Sequence, residues 1–228
     1  CLVGSEMCIR DRDSAALAVG ADEVAATLQQ EAAARGSAVV VVRNSSRGMF
    51  WLETLVEVET PNGRVAYGPV EPQDVSALLD AGMLQGAAHT LCLGLTQNIP
   101  YLAKQERLTF ARMGVTAPLS LHDYETHEGW VGLKRALTLD GAAIVQNITD
   151  SGLRGRGGAA FPAGIKWRTV LNAAGAQKYV VCNADEGDSG TYSDRMTMEG
   201  DPFMLIEGMA IAGIAVGATQ GYIYIRSE

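Results

Sequence analysis

The sequence is short of cysteine and of basic residues, and each shortage closes off a class of protein. Four cysteines occur in 228 residues, at Cys1, Cys8, Cys92 and Cys182. None forms a CxxC pair, so no disulfide framework is expected, and neither is a complete iron–sulfur or zinc site, whose ligands come in close pairs. That usage fits a reducing compartment, the cytoplasm. Lysine and arginine number 18 against 26 acidic residues, a net charge of −8 with a pI near 4.9. Nucleic acid needs a basic surface, so it is not an expected partner. No apolar run of bilayer length is present either. The nearest candidate, 202–225, is interrupted by Glu207, Thr219 and Gln220. Its clean portion, 208–218, falls well short of the ~20 residues a bilayer requires. Gly213, Gly217 and Gly221 recur at the spacing of membrane-helix dimers, yet a buried helix followed by a strand is the expectation, with no membrane span.

A leader peptide is not legible. The chain opens with Cys, and CLVGSEMCIRDR lacks the charged-then-apolar order of a signal sequence. It looks like translated adapter read-through, so residues 1–12 are set aside as a non-native segment. At the other end, 222–228 reads as a strand with no cap or tail. The expectation is a chain incomplete at both ends.

What is present has the rhythm of an α/β protein. Residues 14–35 are alanine-rich with apolar positions at helical spacing, and Gly36 is the stop. A β-branched run over 37–42 predicts a buried strand. Residues 50–59 alternate, Pro61-Asn62-Gly63 is a turn signal, and 64–67 returns as the hairpin partner. A helix is expected over 70–84, with Pro72 in its first turn. These elements make a small domain over 13–90. Residues 91–140 carry weaker signals and are expected to connect, with a short helix over 130–139. A second domain, 141–228, opens on a helix over 142–148. A glycine-rich stretch then leads into a helix over 165–174, a strand over 178–182 and an acidic, glycine-containing loop over 183–190. The helix and strand of 202–225 follow.

Two constellations carry chemistry. The first is SGLRGRGGAAFPAGIKW, 151–167. Glycines let backbone amides converge on an anion, and a helix start just beyond adds unpaired amides and dipole. Arg156 and Lys166 add positive charge to an acidic chain. The combination suits a phosphate or pyrophosphate. Gly155-x-Gly157-x-x-Ala160 also fits the dinucleotide fingerprint, but that pattern should follow a buried strand, and the residues before it are polar and turn-forming. A glycine-rich surface turn is the plain alternative. Phe161 could stack on a flat cofactor or underlie the loop; Trp167 is expected in the core.

The second is CNADEGDSG, 182–190, at the end of a strand, where ligands sit in open α/β sheets. Asn183, Asp185, Glu186 and Asp188 accept hydrogen bonds from sugar hydroxyls and ring N–H groups and repel phosphate, so they should hold ribityl, ribose or ring portions. The spacing does not match an EF-hand, and a solvated acidic turn is the competing reading. Cys182 is expected to be a small buried apolar group.

SGLRGRGGAAFPAGIKW, CNADEGDSGTYSDRM and DPFMLIEGMAIAG together resemble the family of flavin-binding subunits shared by complex I, NAD-reducing hydrogenase and formate dehydrogenase. SRGMFWLE, QERLTFARMG and PLSLHDYETHEGW are most similar to the beta subunit of soluble NAD-dependent molybdenum formate dehydrogenase, as are Asp188 and Ser189, where complex I carries Glu and Pro. The resemblance implies a small thioredoxin-like domain followed by the first part of an α/β FMN-binding domain. It implies FMN and NAD as cofactors, and partners in the iron–sulfur and molybdopterin subunits of a multi-subunit dehydrogenase. Hydride passes between nicotinamide and flavin held ~3–3.5 Å apart, and electrons then leave singly to iron–sulfur clusters.

By the same resemblance, Gly155, Arg156, Gly157, Lys166, Asn183, Asp185 and Glu186 contact FMN, while Gly158, Ala159, Phe161, Lys166 and Asp188 contact NAD. No catalytic acid or base and no metal ligand is implied. A 4Fe–4S cluster is expected only in a further C-terminal part. Thr169 stands where complex I relatives place an adenine-holding aromatic, and His127-Glu128-Gly129 replaces a usual double glycine. The lone Cys92 leaves the thioredoxin-like domain without cluster ligands, which makes it a docking domain. The alternatives are the same role in a hydrogenase or in complex I, or a non-catalytic docking fragment; taken alone, the fragment is expected to be inactive.

Overall fold

Asp13 starts the first helix of the amino-terminal region. Its carboxylate accepts the amides of Ala15 and Ala16, each at 3.1 Å, capping α1 (Ser14–Leu17). Gly20, at φ +90°, then breaks the run. The helix expected in one piece over 14–35 is therefore two, α1 and α2 (Ala21–Ala34). Strand β2 (Val39–Asn44) follows. The β3–β4 hairpin (Val56–Thr60, Gly63–Tyr67) closes at Thr60 and Gly63 as the turn signal predicts. The alternation over 50–59 is only half strand, because 50–52 form a 3₁₀ turn. Helix α3 (Val75–Asp80) occupies the middle of the predicted 70–84 helix, with 3₁₀ turns on either side.

The computed structural model describes residues 5–10, 13–188 and 190–227, and the chain divides into two units: 1–123 with 196–201, and 124–195 with 202–228. In the first, β1 (Ser5–Arg10) lies between β2, to which it is parallel, and β3, to which it is antiparallel. This backbone comes from the segment set aside in the sequence. Ladder bonds are made by backbone amides and carbonyls, so such a slot accepts any extended chain. Residues 1–4, 11 and 12 of that segment, together with Ser189 and Glu228, lie outside the described residues.

A further strand, β5 (Cys92–Leu95), pairs with β4 and completes the order β2-β1-β3-β4-β5. It falls where only connecting chain was expected, and the first unit runs on to residue 123. Four residues containing a glycine are too few for alternation to show. A β–α–β unit followed by an antiparallel hairpin and a helix is the thioredoxin-like arrangement that the resemblance implies.

The first unit is sealed on both sheet faces. Val24 and Leu28 from α2, and Val75 and Leu78 from α3, meet Val56, Val58 and Tyr67 on one side. Met49, Leu55 and Ala66 meet Ile99 and Leu102 on the other, Leu102 lying in α4 (Pro100–Ala103). The Tyr67 hydroxyl donates to the Ala87 carbonyl at 2.7 Å, and burial pushes its pKa up to about 12. Glu57, fully buried, lies between Arg47 at 3.7 Å and Arg64 at 3.9 Å. Both guanidinium groups also donate to the Gly114 carbonyl at 3.0 Å. Chain without regular structure is thereby pinned to the sheet.

The second unit is helical around a small sheet. Helix α5 (Leu121–Thr126) crosses the division between units; α6 (Val131–Ala136) and α7 (Gly141–Asp150) follow. Then come α8 (Ala163–Asn172), β6 (Tyr179–Ala184), α9 (Ser193–Gly200), α10 (Pro202–Val216) and β7 (Gln220–Ile225), with α9 also crossing the division. β6 and β7 pair in parallel. Ile144 and Val145 of α7 pack with Ala136, Ala215 and Val216, and Trp167, Leu171 and Ile211 close over them. Trp167 is thus a core residue.

Glu207, in α10, caps α6 from a distance: its carboxylate accepts the amides of Trp130 and Leu133, both at 2.8 Å, and the Tyr124 hydroxyl. Gly129 is required beside it, since a Cβ there would meet the Tyr124 ring at 2.2 Å. No helix among the described residues is long and apolar enough to cross a membrane.

Candidate functional site

The glycine stretch joins two helices, α7 and α8, rather than a strand to a helix, so it is not a dinucleotide-fold turn. It is a pinched loop. The Gly155 amide donates to the Phe161 carbonyl at 2.9 Å, the Ala163 amide donates to the Leu153 carbonyl at 2.8 Å, and Arg154 pairs with Pro162. The Arg154 guanidinium also donates to the Ala160 carbonyl at 2.9 Å. The tip turns through Gly158 at φ +87° and Ala160 at φ +49°.

Gly155 therefore spends its amide inside the loop. The amides of Gly157, Gly158 and Ala159 make no hydrogen bond among the described residues, and nothing stands within 4 Å of where a Cβ would lie on Gly157 or Gly158. This is open backbone of the kind an anion occupies. Lys166, in the first turn of α8, brings its Nζ to 5.6 Å from the centre of the Phe161 ring. The same Nζ lies 4.0 Å from the position of a Gly155 Cβ. Gly155, Phe161 and Lys166 thus form one cluster. Phe161 is 45% exposed, so it is a surface ring rather than core beneath the loop. Arg156 and Lys166 are exposed and make no ion pair among the described residues. Gly164 sets how closely α8 approaches α7, because a Cβ there would fall 2.3 Å from the Thr149 Oγ1.

The acidic turn begins where β6 ends. Asn183 Oδ1 accepts the Asp185 amide at 3.2 Å, a side-chain turn typical of asparagine. Asn183 and Asp185 line an open hollow of about 430 Å³ with Val181 and Tyr224. Asp188, exposed, accepts the Gly190 amide at 3.2 Å. Glu186 turns elsewhere: at φ +47°, it offers one carboxylate oxygen to the Asp194 amide at 3.2 Å and the other to the Arg195 amide at 2.8 Å. Asp194 holds its proton above the usual carboxylate range through burial, with Glu186 adding to the effect. Burial, and then Asp194, push the Cys182 thiol up; it is half-buried. Among the described residues no hydrogen bond or ion pair joins the loop to the turn.

Sequence reasoning missed Tyr224, Tyr192 and Arg195. The Arg195 guanidinium lies 4.4 Å from the Tyr192 ring centre, and Tyr192 is left-handed at φ +57°. The signal available was SDRMTME, whose Ser-Asp start is a helix-entry pattern.

An open, cation-flanked backbone loop suits an anion, and a polar turn at a strand end suits a hydroxylated group. Residues 148–228 match the model of the Nuo51 FMN-binding domain. The chain is 50% identical over 125 residues to an NADP-reducing hydrogenase subunit HndC of Solidesulfovibrio fructosivorans, which covers 55% of this chain and 25% of that one. It is 40% identical over 134 residues to an NADH-quinone oxidoreductase subunit of Escherichia coli (strain K12), covering 58% of this chain and 30% of that one. Through this segment the chain is similar to the family of flavin-binding subunits. It spans between a quarter and a third of the length of these relatives. A solved NAD⁺-reducing [NiFe]-hydrogenase in the air-oxidized state aligns with 97% of this chain and 37% of its own, at 22% identity and a TM-score of 0.42.

Proposed function

We propose that this chain carries the phosphate-gripping half of an FMN and NAD(H) site, in a subunit that passes electrons between NAD(H) and iron–sulfur clusters. One observation carries the reading: among the described residues, the free amides of 157–159 stand beside the unpaired cations Arg156 and Lys166 in an acidic chain. Bound FMN supplies the redox chemistry, taking electrons in pairs from the nicotinamide and releasing them singly. The side chains position it. Arg156, Lys166 and the loop amides take the phosphate; Asn183 and Asp185 take hydroxylated or ring portions; Gly158, Ala159, Phe161, Lys166 and Asp188 face NAD.

Chain path supports bringing the two motifs together. A short connection, 173–178, joins α8 to β6, and Lys178 Nζ donates to the Leu171 carbonyl at 2.8 Å. The end of α8 is thus beside the start of β6. A helix and strand so joined run in opposite directions, which puts the loop before α8 and the turn after β6 at the same end of the layer. No acid–base group is needed, because hydride transfer depends on alignment.

Within this role we favour the beta subunit of a soluble, cytoplasmic NAD-dependent formate dehydrogenase, with iron–sulfur and molybdopterin subunits as partners. SRGMFWLE, QERLTFARMG, PLSLHDYETHEGW and Asp188 support that branch, and hydrogenase or complex I is the second reading. The test is to load the chain with FMN, remove oxygen and add NADH. Retention of flavin is expected, and bleaching of its visible band once the remaining length of the subunit is joined to the chain; a chain that retains no flavin contradicts the reading. Co-purification with a molybdopterin subunit supports the formate branch; co-purification with hydrogenase subunits removes it.

A further inference from the structure

Among the described residues of the acidic turn, Glu186 is the one with both carboxylate oxygens committed to backbone amides. Both oxygens accept backbone amides, those of Asp194 and Arg195, at the entry of α9. The first amides of a helix have no partner inside it, and an anionic acceptor there also meets the positive end of the helix dipole. The backbone is arranged for this use. Glu186 sits at φ +47°, a conformation unfavourable for a residue with a Cβ, while its side chain reaches the entry of α9. Its carbonyl is held as well, by the Arg226 guanidinium at 3.2 Å. Beyond the turn, the Arg195 guanidinium lies over the Tyr192 ring. Asn183 and Asp185 instead face the open hollow.

From this we infer that Glu186 is a positioning residue: it fastens the acidic turn to α9 and leaves contact with the flavin to Asn183 and Asp185. The inference rests on the flavin-binding reading above and changes the part that Glu186 plays in it. A carboxylate released toward a ligand would strand the two amides it now accepts.

The test uses the full chain with Glu186→Ala, Glu186→Gln and Asn183→Ala. Exchange of the Asp194 and Arg195 amides is read by NMR, and FMN affinity by quenching of flavin fluorescence. Glu186→Ala is expected to lose protection at both amides and to weaken FMN binding by about fivefold to tenfold, the scale of a lost cap. Glu186→Gln, which keeps one acceptor oxygen, should restore part of both together. Asn183→Ala should weaken FMN binding and leave the two amides protected. Weakened binding with intact protection in Glu186→Ala means direct contact and overturns the inference. Lost protection with unchanged affinity means a purely structural cap and overturns it too. If the alanine variant does not fold, the glutamine variant carries the same pair of readings. An unaltered chain that takes up no FMN removes the flavin-binding reading and this inference with it. Flavin uptake with either overturning pattern removes this inference alone.

Discussion

The first unit covers its sheet on both faces, whereas the second leaves Tyr179, Val181, Tyr222, Ile223, Tyr224 and Ile225 exposed on two parallel strands. Parallel strands are ordinarily covered on both sides, and two strands alone give little stability. In the first unit the buried Glu57 sits between two arginines, and the Gly114 carbonyl takes two guanidinium groups. Among the described residues, the glycine loop of the second keeps Arg156, Lys166 and the amides of 157–159 exposed and without a polar partner. An exposed group of this kind is open to a ligand, whereas a group already paired inside the protein has little left to offer one.

The contrast can be broken by substitution. Leu28→Ala removes a fully buried side chain from the first core, and a loss of about 2–5 kcal/mol is expected in urea unfolding of that unit. Amide exchange in the second unit should not change; a uniform loss across both would erase the distinction. Gly164→Ala forces a methyl group against Thr149, 2.3 Å from its Oγ1. A cost of about 1–3 kcal/mol confined to the second unit is expected, with weaker FMN binding because the loop is anchored by that helix contact. Unchanged stability would mean that α7 and α8 are not tightly apposed.

The smallest effect belongs to Asp194, whose carboxyl titrates above its ordinary range in the folded chain through burial and then through Glu186. The folded state holds that proton more tightly than the unfolded chain does. Stability from this group is therefore complete below the ordinary carboxylate pKa, ~3.9, and is lost as pH rises through the raised value. Asp194→Asn should stabilise the chain at neutral pH by less than about 1 kcal/mol, since the group is partly solvated. Melting curves should show the gain shrinking as pH falls; a gain that grows on acidification contradicts the assignment.

Much of this was legible in the residues. The Pro61-Asn62-Gly63 hairpin, the helices around Ile144 and Trp167, and the β6 and β7 strands follow from turn chemistry and apolar spacing. What escaped was set by a local backbone angle or by contacts between segments apart in the chain. Gly20 splits a helix that alanine content would continue. β5 is four residues held by its pairing with β4. Helix α9 starts on a carboxylate, Glu186, that precedes it in the chain by a full turn of loop. Glycines and cations marked the loop proposed to bind phosphate, while the orientation of each carboxylate in the acidic turn depended on backbone angles that residue types do not specify.

Open amides with Arg156 and Lys166 are proposed to grip a phosphate, and a comparison of FMN with riboflavin isolates that contact. The two differ by that phosphate alone. FMN should bind the chain more tightly, and Lys166→Gln should remove about tenfold to a hundredfold of that advantage, the range of one charge-assisted hydrogen bond. Equal affinity for the two flavins, or a preference for FMN that survives the substitution undiminished, would contradict the account.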